Sequence, residues 1–275
     1  KTTAEMSETD IAYHSAKAIE ASPITDVYMF GRRGPIEAKF TNVELREMGK
    51  LENCVPVVDP AQLPDEVTGE MSDRDRRLKE RNLATLREFP DVDPSGKAKR
   101  VHFAFYANPV EVLGGDSVEG IRLEKTRVEN GRAVGTGEFI EIECRLVIAA
   151  IGYFAHPFDG VPFDVDQGIV VHEDGRVGDG VYAVGWIKRG PTGVIGTNKP
   201  DGDTAATQIF EDVGEGGKPG RAALKKLLGE RGVRYLGYAD WQIIDAAEQA
   251  AATPGAPRRK FVNVEDMLGA LDAPR

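Results

Sequence analysis

Apolar and polar residues alternate along the first part of the chain in patterns that predict helices and strands in turn. A helical spacing of apolar residues runs from Asp10 to Ala21, and the apolar run DVYMF after it predicts a short strand. FTNVELREMGKL predicts a second helix and VPVVD a second strand. Helices and strands in this alternation are typical of an α/β fold.

The middle of the chain changes to a succession of strands. Met71–Phe89 predicts a charged amphipathic helix, after which strands joined by Gly and Asn turns follow. These strands are VHFAFY, GIRLEKTRVE, EFIEIE and RLVIAAIG. Such a succession predicts an antiparallel meander that covers the face of a sheet. Because LVIAAIG is apolar at both alternating sets of positions, it predicts a central, fully buried strand.

A change of composition at GYFAHPFDGVPFD predicts a domain boundary near Tyr153, since Gly and Pro replace the periodic pattern there. Beyond it, GRVGDGVYAVG predicts another buried strand, and Thr204–Asp212 predicts a helix. The chain closes with short amphipathic helices in RAALKKLLGERG, DWQIIDAAEQAA and NVEDMLGAL. We therefore expect one domain over residues 1–152 and another over residues 153–275.

Composition narrows the function classes. The chain has 275 residues, 41% of them hydrophobic, which leaves room for two domains, and no apolar run is long enough for a membrane span. A net charge of −10 argues against a general nucleic-acid binder. Cys54 and Cys144 lack CxxC spacing and the histidines lack metal-ligand spacing, so we expect buried thiols in a reducing compartment and no metal site.

One segment departs from the acidic average. Met71–Arg100 contains nine basic residues against six acidic ones, a local excess of +3. Its first helix carries Arg74, Arg76, Arg77, Lys79 and Arg81. A charged helix of this kind is either a solvated face or a docking surface for an acidic partner, and the pattern alone does not choose between them.

The strand DVYMF ends in an arginine pair. In a dinucleotide-binding unit, the end of the second strand decides which ribose is bound: an acid there pairs with the 2′-hydroxyl of NAD, and an arginine accommodates the 2′-phosphate of NADP. Arg32 and Arg33 lie at such a strand end with glycines on both sides, and a guanidinium matches phosphate geometry. The pair predicts NADP(H) binding, with solvated loop arginines as the alternative.

A glycine-rich loop predicts a second ligand contact. GWIKRGPTGVIGTNKPDGDTA, residues 185–205, follows the apolar run VYAV and combines Trp186 and two basic residues with small turn-formers. Glycine lets main-chain N–H groups approach a flat or charged group closely. No G-x-G-x-x-G follows a strand anywhere in the chain. Such a turn belongs one helix before DVYMF, so we expect it upstream of Lys1, with this chain the C-terminal part of a longer protein.

Together these segments resemble the adrenodoxin reductase-type ferredoxin–NADP⁺ reductases. The segments that carry the resemblance are GRRGPIEAKFTNVELREM, AIGY, VYAVGWIKRGPTGVIGTNK and DWQIIDA. The most specific is GWIKRGPTGVI, in which Trp186 stands where the wider flavoprotein superfamily has an acid. The resemblance implies two Rossmann-like domains of the glutathione reductase type with an antiparallel meander. It implies that both are incomplete here: residues 1–152 form the later part of the NADP domain, and residues 153–275 the C-terminal part of the FAD domain.

The resemblance also implies roles for individual residues. Trp186 lies at the flavin, and Gly193, Val194 and Ile195 present backbone groups to its ring, with Ile195 opening a helix. Gly193 also contacts the nicotinamide. Arg32 and Arg33 bind the 2′-phosphate, Glu44 binds the nicotinamide nucleotide, and Glu47 relays protons near the flavin. Both acids have the alternative of being ordinary helix-surface residues.

The implied activity is electron transfer by a flavoprotein, from NADPH to FAD as hydride and then singly to a ferredoxin- or adrenodoxin-type iron–sulfur protein. Its acidic acceptor makes the basic helix a docking candidate. The implied location is the bacterial cytoplasm, or alternatively the mitochondrial matrix. Two other interpretations stay open: another NADPH–flavin reductase or electron-input subunit of the same superfamily, and a non-catalytic nucleotide-binding or interaction module.

Overall fold

The computed structural model describes residues 1–193, 195–214 and 216–272, with the side chains of Ile195 and Thr197 left out. Its helices are α1 (Tyr13–Glu20), α2 (Asn42–Met48), α3 (Asp73–Glu88), α4 (Trp186–Arg189), α5 (Ile195–Val213), α6 (Gly220–Glu230), α7 (Tyr238–Ala250) and α8 (Val264–Asp272). Its strands are β1 (Asp26–Gly31), β2 (Cys54–Val58), β3 (Lys99–Phe105), β4 (Ala107–Leu113), β5 (Gly120–Glu129), β6 (Arg132–Glu143), β7 (Phe163–Asp164), β8 (Ile169–Val170), β9 (Arg176–Gly178) and β10 (Val181–Tyr182).

Contacts divide the chain into two compact units. The first consists of Lys1–Val147 and the C-terminal segment from Leu236 onwards, and the second is Ile148–Tyr235. Across the part of the chain that the structure describes, no helix has the length and apolar character needed to span a bilayer. The assignment of residues 1–152 and 153–275 to an NADP and a FAD domain stays a prediction.

The first unit is built on a three-stranded parallel sheet in the order β1-β3-β2. Alternate residues of β3 point into one apolar cluster, where Val101 and Phe103 pack with Leu86 of α3 and Leu45 of α2. Hydroxyl side chains cap two of the helices, since Thr41 and Ser72 accept backbone N–H groups at the starts of α2 and α3. The predicted strands and helices of this region are confirmed.

An ion-paired carboxylate fastens β1 to its neighbour. Asp26 at the start of β1 accepts hydrogen bonds from Arg100 at 2.6 Å and from His102 at 2.8 Å, both on β3. The Arg100 guanidinium, with a further contribution from His102, holds the pKa of Asp26 well below its usual range. Because this pKa is depressed, the stabilisation is present at neutral pH and is lost as acid protonates the carboxylate.

The second sheet is the antiparallel meander, but its first strand was assigned wrongly. Its order is β4-β5-β6. VHFAFY lies instead in β3 of the parallel sheet, and the missed strand β4 supplies the third antiparallel strand. The alternation of Val101, Phe103 and Phe105 buries one face of the strand in either sheet, so the pattern does not give the direction of its partner.

The prediction of a central strand at RLVIAAIG is also wrong. Residues 145–152 have no regular structure, and the side chains of Ile148 and Ile151 are 76% and 94% exposed. Within the described residues no strand pairs with this segment. A strand needs a partner for its backbone N–H and C=O groups, and an apolar sequence does not supply one.

In the second unit, short strands and helices surround the glycine-rich loop. β7 pairs with β8 and β9 with β10, each pair antiparallel. GRVGDGVYAVG was predicted as one buried strand but forms the β9–β10 hairpin, with Val181 and Val184 each 43% exposed. The helix predicted from Thr204 begins earlier, at Ile195. The helix predicted in RAALKKLLGERG is confirmed as α6.

The last two helices, α7 and α8, lie where the sequence predicted them and belong to the first unit. An ion pair of 2.7 Å joins Lys260 to Asp10 near the start of the chain. Arg258 pairs with Asp245 and Glu248 of α7, and the Glu248 carboxylate also accepts the backbone N–H of Phe261 at 2.9 Å. The Lys260–Asp10 pair thus joins the C-terminal segment to the start of the chain, and the other contacts hold that segment together internally.

The apolar cluster between the parallel sheet and α3 should dominate the stability of the first unit. Leu86 is fully buried there, so Leu86→Ala should cost about 2–5 kcal/mol through lost burial and the cavity left behind. Val43 on α2 is 68% exposed, and Val43→Ala should change stability by less than about 0.5 kcal/mol. Urea unfolding followed by far-ultraviolet circular dichroism measures both, and equal effects would contradict this assignment of the core.

Candidate functional site

The arginine pair lies where the strand pattern predicted it, directly after β1. The antiparallel sheet holds its backbone. Thr126 of β5 donates its hydroxyl to the Arg32 carbonyl at 2.7 Å, and the Tyr106 N–H donates to the Arg33 carbonyl at 3.1 Å. The Thr126 N–H in turn donates to the Tyr106 carbonyl at 2.8 Å. The loop that carries both guanidiniums is therefore fixed by hydrogen bonds from two other segments.

The glycine after the arginines is required by packing. A Cβ on Gly34 would overlap the Tyr106 ring and hydroxyl, so a larger residue would require either the loop or that ring to move. The Gly34 N–H donates to the Glu37 carboxylate at 2.9 Å. Burial raises the pKa of the Tyr106 phenol, and the charge of Glu37 adds to that shift. Tyr106 is thus a neutral wall behind the loop.

A surface cleft of ≈ 480 Å³ opens beside the arginine loop. Its lining includes Arg32, Arg33, Asn108, Glu124, Thr126 and Arg132. Arg33 also donates to the Gly131 carbonyl at 3.1 Å, across the cleft from its own strand. Several guanidiniums around one cleft favour an anionic group with several oxygen acceptors, such as a phosphate.

The two candidate acids are exposed on α2 and do not line this cleft. The carboxylate of Glu44 accepts a hydrogen bond from the Thr41 hydroxyl, and its backbone N–H donates back to Thr41 at 3.4 Å. That reciprocal arrangement is a capping contact at the start of α2. Glu47 lies one turn further along the same helix. The nucleotide role of Glu44 and the proton-relay role of Glu47 stay predictions.

In the second unit, the glycine-rich loop makes a tight turn that presents an aromatic ring. Gly185 adopts a left-handed φ of 65° and precedes the short helix α4, which begins at Trp186. The indole is 47% exposed, and the ring of Tyr153 lies 6.0 Å from it at an interplanar angle of 31°. Two exposed aromatic side chains, tilted against each other, form an apolar surface beside a polar turn.

The basic residues of this loop, whose purpose the sequence left open, fasten it to α5. Lys188 lies 3.3 Å from Asp174 and 3.7 Å from Asp201, and its side chain is only 15% exposed. Arg189 pairs with Asp201 and also donates to Asn198. Asp201 has a third partner, because its carboxylate also accepts the Gly185 N–H at 3.1 Å. Asp201 therefore holds the turn at both ends.

A histidine holds the loop from the other side. The Gly175 N–H donates to Nδ1 of His172 at 3.1 Å, so Nε2 carries the proton that bonds the Lys188 carbonyl at 2.8 Å. This arrangement fits the neutral imidazole. The imidazole holds this loop through both ring nitrogens, and among the residues described no group of side chains could bind a metal ion.

The three residues expected against a flavin ring are only partly described. Gly193 is exposed with a left-handed φ of 86°, a backbone conformation that favours glycine. Val194 lies outside the described residues. The backbone of Ile195 begins α5, as expected, and its side chain is not described. Their cofactor contacts stay predictions.

The structure divides the basic residues of α3 into two groups. Arg76 donates to the Val67 and Gly69 carbonyls at 2.7 and 2.9 Å, and Lys79 donates to the Ile36 carbonyl. These two side chains bind the protein's own backbone. Arg74, Arg77 and Arg81 are exposed, and their spacing of three and four residues places them on one helix face.

Sequence reasoning missed the residues that hold the cleft together. The sequence pattern predicts only strands at Thr126 and Tyr106, and Asn108 belongs to a strand that the pattern does not predict. One signal was available: Asn130-Gly131 joins two strand patterns and is typical of a tight hairpin turn. The contact of that turn with a loop 98 positions away carries no signal in a single sequence.

Comparison with known proteins gives relatives over nearly the whole chain. The mitochondrial NADPH:adrenodoxin oxidoreductase of Arabidopsis thaliana is 37% identical over 98% of this chain and 62% of its own length. The NADPH-ferredoxin reductase FprA of Mycobacterium tuberculosis is 35% identical over 96% of this chain and 61% of its own length. No family model matches.

A solved structure agrees with these relatives. Mycobacterium tuberculosis FprA in complex with NADPH superposes with a TM-score of 0.87 at 34% identity, covering 99% of this chain and 63% of that protein. The chain thus spans about three fifths of the proteins that it matches. The similarity includes both units and confirms the Rossmann-like α/β fold class. Over the length that it spans, the chain belongs to the adrenodoxin reductase-type ferredoxin–NADP⁺ reductase family.

Proposed function

We propose that this chain is part of a flavoprotein that passes electrons from NADPH through FAD to a ferredoxin- or adrenodoxin-type iron–sulfur protein. The observation that carries the proposal is the cleft at the end of β1, where Arg32 and Arg33 stand on a backbone fixed by Thr126 and Tyr106. The relatives named NADPH-ferredoxin reductase and NADPH:adrenodoxin oxidoreductase support it.

The cleft fits the phosphorylated ribose of NADPH. The end of a parallel strand is where nucleotide-binding sheets bind their ribose, and arginine there selects the 2′-phosphate. Both guanidiniums line the cleft. Because hydrogen bonds already fix the backbone carbonyls of these arginines, ligand binding has to order only their side chains. The mycobacterial relative solved with NADPH supports the same ligand. Glu44 is proposed to bind the nicotinamide nucleotide from α2.

The glycine-rich loop of the second unit fits a flat ring. Trp186 and Tyr153 supply an aromatic surface, and exposed Gly193 leaves its backbone accessible to a close neighbour. We assign this surface, with Val194 and Ile195, to FAD, and Glu47 to proton transfer near it. A bound flavin supplies the change from two-electron hydride chemistry to single-electron chemistry. The residues of this chain bind and orient that group and keep water from one of its faces.

The exposed arginines of α3 are the proposed docking face for the iron–sulfur protein. Arg74, Arg77 and Arg81 form a cationic stripe on a chain with a net charge of −10. Arg76 and Lys79 support that face by fixing α3 to neighbouring carbonyls. Such a stripe raises the rate of encounter with an acidic partner and loses its effect as salt increases.

Two alternatives stay open beside this proposal. Another NADPH–flavin reductase of the same superfamily would share the arginine cleft and the glycine-rich loop, and a screen of acceptors distinguishes it. A non-catalytic nucleotide-binding module would lack flavin in the native protein. We keep the NADP and FAD assignments for residues 1–152 and 153–275. The proposed location is the bacterial cytoplasm, with the mitochondrial matrix as the alternative, because the relatives come from mitochondria and from a bacterium.

Changing both arginines of the cleft should alter the choice of nucleotide. In the protein with its flavin, Arg32→Ala with Arg33→Ala should raise KM for NADPH about 10- to 100-fold, since each charge-assisted hydrogen bond contributes about 1.5–3 kcal/mol. KM for NADH should change less than about 2-fold, because NADH has no 2′-phosphate. Steady-state reduction of ferricyanide with each nucleotide measures both values.

Equal changes for NADPH and NADH would contradict the 2′-phosphate assignment. Native protein purified without a flavin absorption spectrum would contradict the flavoprotein itself.

Reversing one charge of the docking stripe should slow electron transfer to the protein acceptor only. Arg77→Glu should lower the rate with an acidic ferredoxin about 5- to 10-fold at low salt, and the difference should shrink as ionic strength rises. Lys225→Glu, a charge reversal at another exposed residue on α6, is the matched control. An unchanged rate in Arg77→Glu, or the same loss in both variants, would exclude this face.

Asp201 should keep the glycine-rich loop, the proposed flavin-binding segment, rigid. Asp201→Asn removes the charge that Lys188 and Arg189 share, so the turn at Gly185 should open and Trp186 should become more accessible. With Trp241→Phe as background, Trp186 is the one tryptophan in the chain, and its quenching by acrylamide should increase. Asp203→Asn, an exposed change on the same helix, should have no effect. Equal quenching in the two variants would contradict the anchoring role.

A further inference from the structure

The tip of the β5–β6 hairpin forms the wall of the cleft opposite the arginine loop. Asn130 and Gly131 join the strands with left-handed φ angles of 50° and 73°, and Glu129 pairs with Arg132 across them. Two consecutive positive φ values define the type I′ turn, whose twist matches that of the flanking strands. The turn therefore fixes the direction in which β6 leaves the tip, beginning with Arg132.

A bulge and a hydrogen bond bring this tip to the arginine loop. Glu124 pairs with Phe139, whereas Thr126 pairs with Gly135, so β6 carries extra residues at this point. Such a bulge bends the strand, and the tip of the hairpin therefore turns relative to the rest of the β5–β6 pair. At the tip, Nη1 of Arg33 donates to the Gly131 carbonyl at 3.1 Å. The hairpin is thus fastened to the loop whose guanidiniums line the cleft, and Arg132 is the next residue.

The charged side chains of the cleft differ in whether they already have hydrogen-bond partners within the protein. Arg33 uses one N–H for the hairpin. The carboxylate of Glu124 accepts the Gly137 N–H at 3.1 Å. Among the residues that the structure describes, the guanidiniums of Arg32 and Arg132 have neither a hydrogen-bond partner nor a carboxylate within ion-pair distance. An arginine elsewhere on the hairpin behaves differently, since Arg127 pairs with Glu129 at 2.6 Å.

We propose that Arg132 is a third cationic ligand of the 2′-phosphate and determines nucleotide specificity together with Arg32 and Arg33. The inference rests on the proposed function, because it takes the cleft as the site of that phosphate. A phosphate has three terminal oxygens, so guanidiniums on opposite walls bind it from two sides. Arg33 then has two roles: it joins the walls through Gly131 and supplies its remaining N–H groups to the ligand.

This arrangement has a consequence for specificity. Arg32 and Arg33 stand at the end of β1, where nucleotide-binding sheets bind the ribose with or without its 2′-phosphate. Arg132 belongs to a separate sheet and reaches the cleft only through the hairpin tip. A nucleotide without the 2′-phosphate does not contact Arg132, which stays solvated. Removing the Arg132 guanidinium therefore leaves the affinity for that nucleotide unchanged. Arg132 therefore discriminates between the two nucleotides without contributing to the binding of their shared parts.

Calorimetric titration of 2′,5′-ADP and of 5′-AMP tests the proposal without catalysis. Arg132→Ala should weaken 2′,5′-ADP binding about 10-fold, because a charge-assisted hydrogen bond is lost, and should leave 5′-AMP binding unchanged. Arg132→Lys should give an intermediate loss, since lysine keeps the charge without the planar fork. Arg127→Ala on the same hairpin, whose guanidinium is already paired, should change neither affinity.

The outcomes separate this inference from the proposed function. If the unaltered chain prefers 2′,5′-ADP and Arg32→Ala removes that preference while Arg132→Ala does not, the third ligand is excluded and the site stands. Equal weakening of both nucleotides by Arg132→Ala would also exclude a 2′-phosphate role. If the unaltered chain shows no preference, the nucleotide assignment of the cleft fails and this inference fails with it. Thermal unfolding of each variant checks that the exposed substitutions leave the fold intact.

Discussion

The arginine loop depends on two hydrogen bonds that its backbone accepts from the antiparallel sheet. The Thr126 hydroxyl and the Tyr106 N–H bind the carbonyls of Arg32 and Arg33, and they join the end of the parallel sheet to a meander that it also contacts through apolar side chains. With the carbonyls fixed, the backbone cannot shift to move the two guanidiniums apart and so reduce their repulsion. The cleft is consequently preorganised for an anion, and the cost of holding like charges together is met by folding rather than by binding.

Local patterns predicted the parts of this site that depend on one segment, and failed for those that depend on two. The strand end that carries Arg32 was predictable, because an apolar run followed by glycine marks where a strand stops. The strand that pairs with β1 was not predictable, since the alternation of Val101 and Phe103 in β3 fits both the parallel and the antiparallel sheet. RLVIAAIG failed for the same reason: hydrophobicity makes a segment suitable for burial, and burial requires a neighbour that the pattern does not specify.

The glycine-rich loop shows how a motif can be recognised before its chemistry is understood. Lys188 and Arg189 look like ligand contacts in the sequence, because a core excludes such charges and a loop does not need them. In the structure both reach Asp201, and Lys188 also reaches Asp174, so they hold a turn that contains several glycines and has little packing of its own. Glycines that permit close approach also remove side chains that would fix the loop, and the ion pairs replace that lost rigidity. The exposed aromatic surface at Trp186 thus has a rigid base.

The overall charge of the chain and the charge of its candidate sites have opposite signs, and the range of electrostatic interaction reconciles them. At physiological salt, exposed charges act over about 8–10 Å, so most of the acidic surface is screened from any one site. A net charge of −10 therefore does not prevent a nucleotide phosphate from binding where guanidiniums converge, or an acidic protein from meeting the stripe on α3. The selectivity of a site for its ligand must then come from the positions of the side chains that contact the ligand. In the cleft, that arrangement comes from a turn, a bulge and one arginine-to-carbonyl hydrogen bond, which position the second wall against the first.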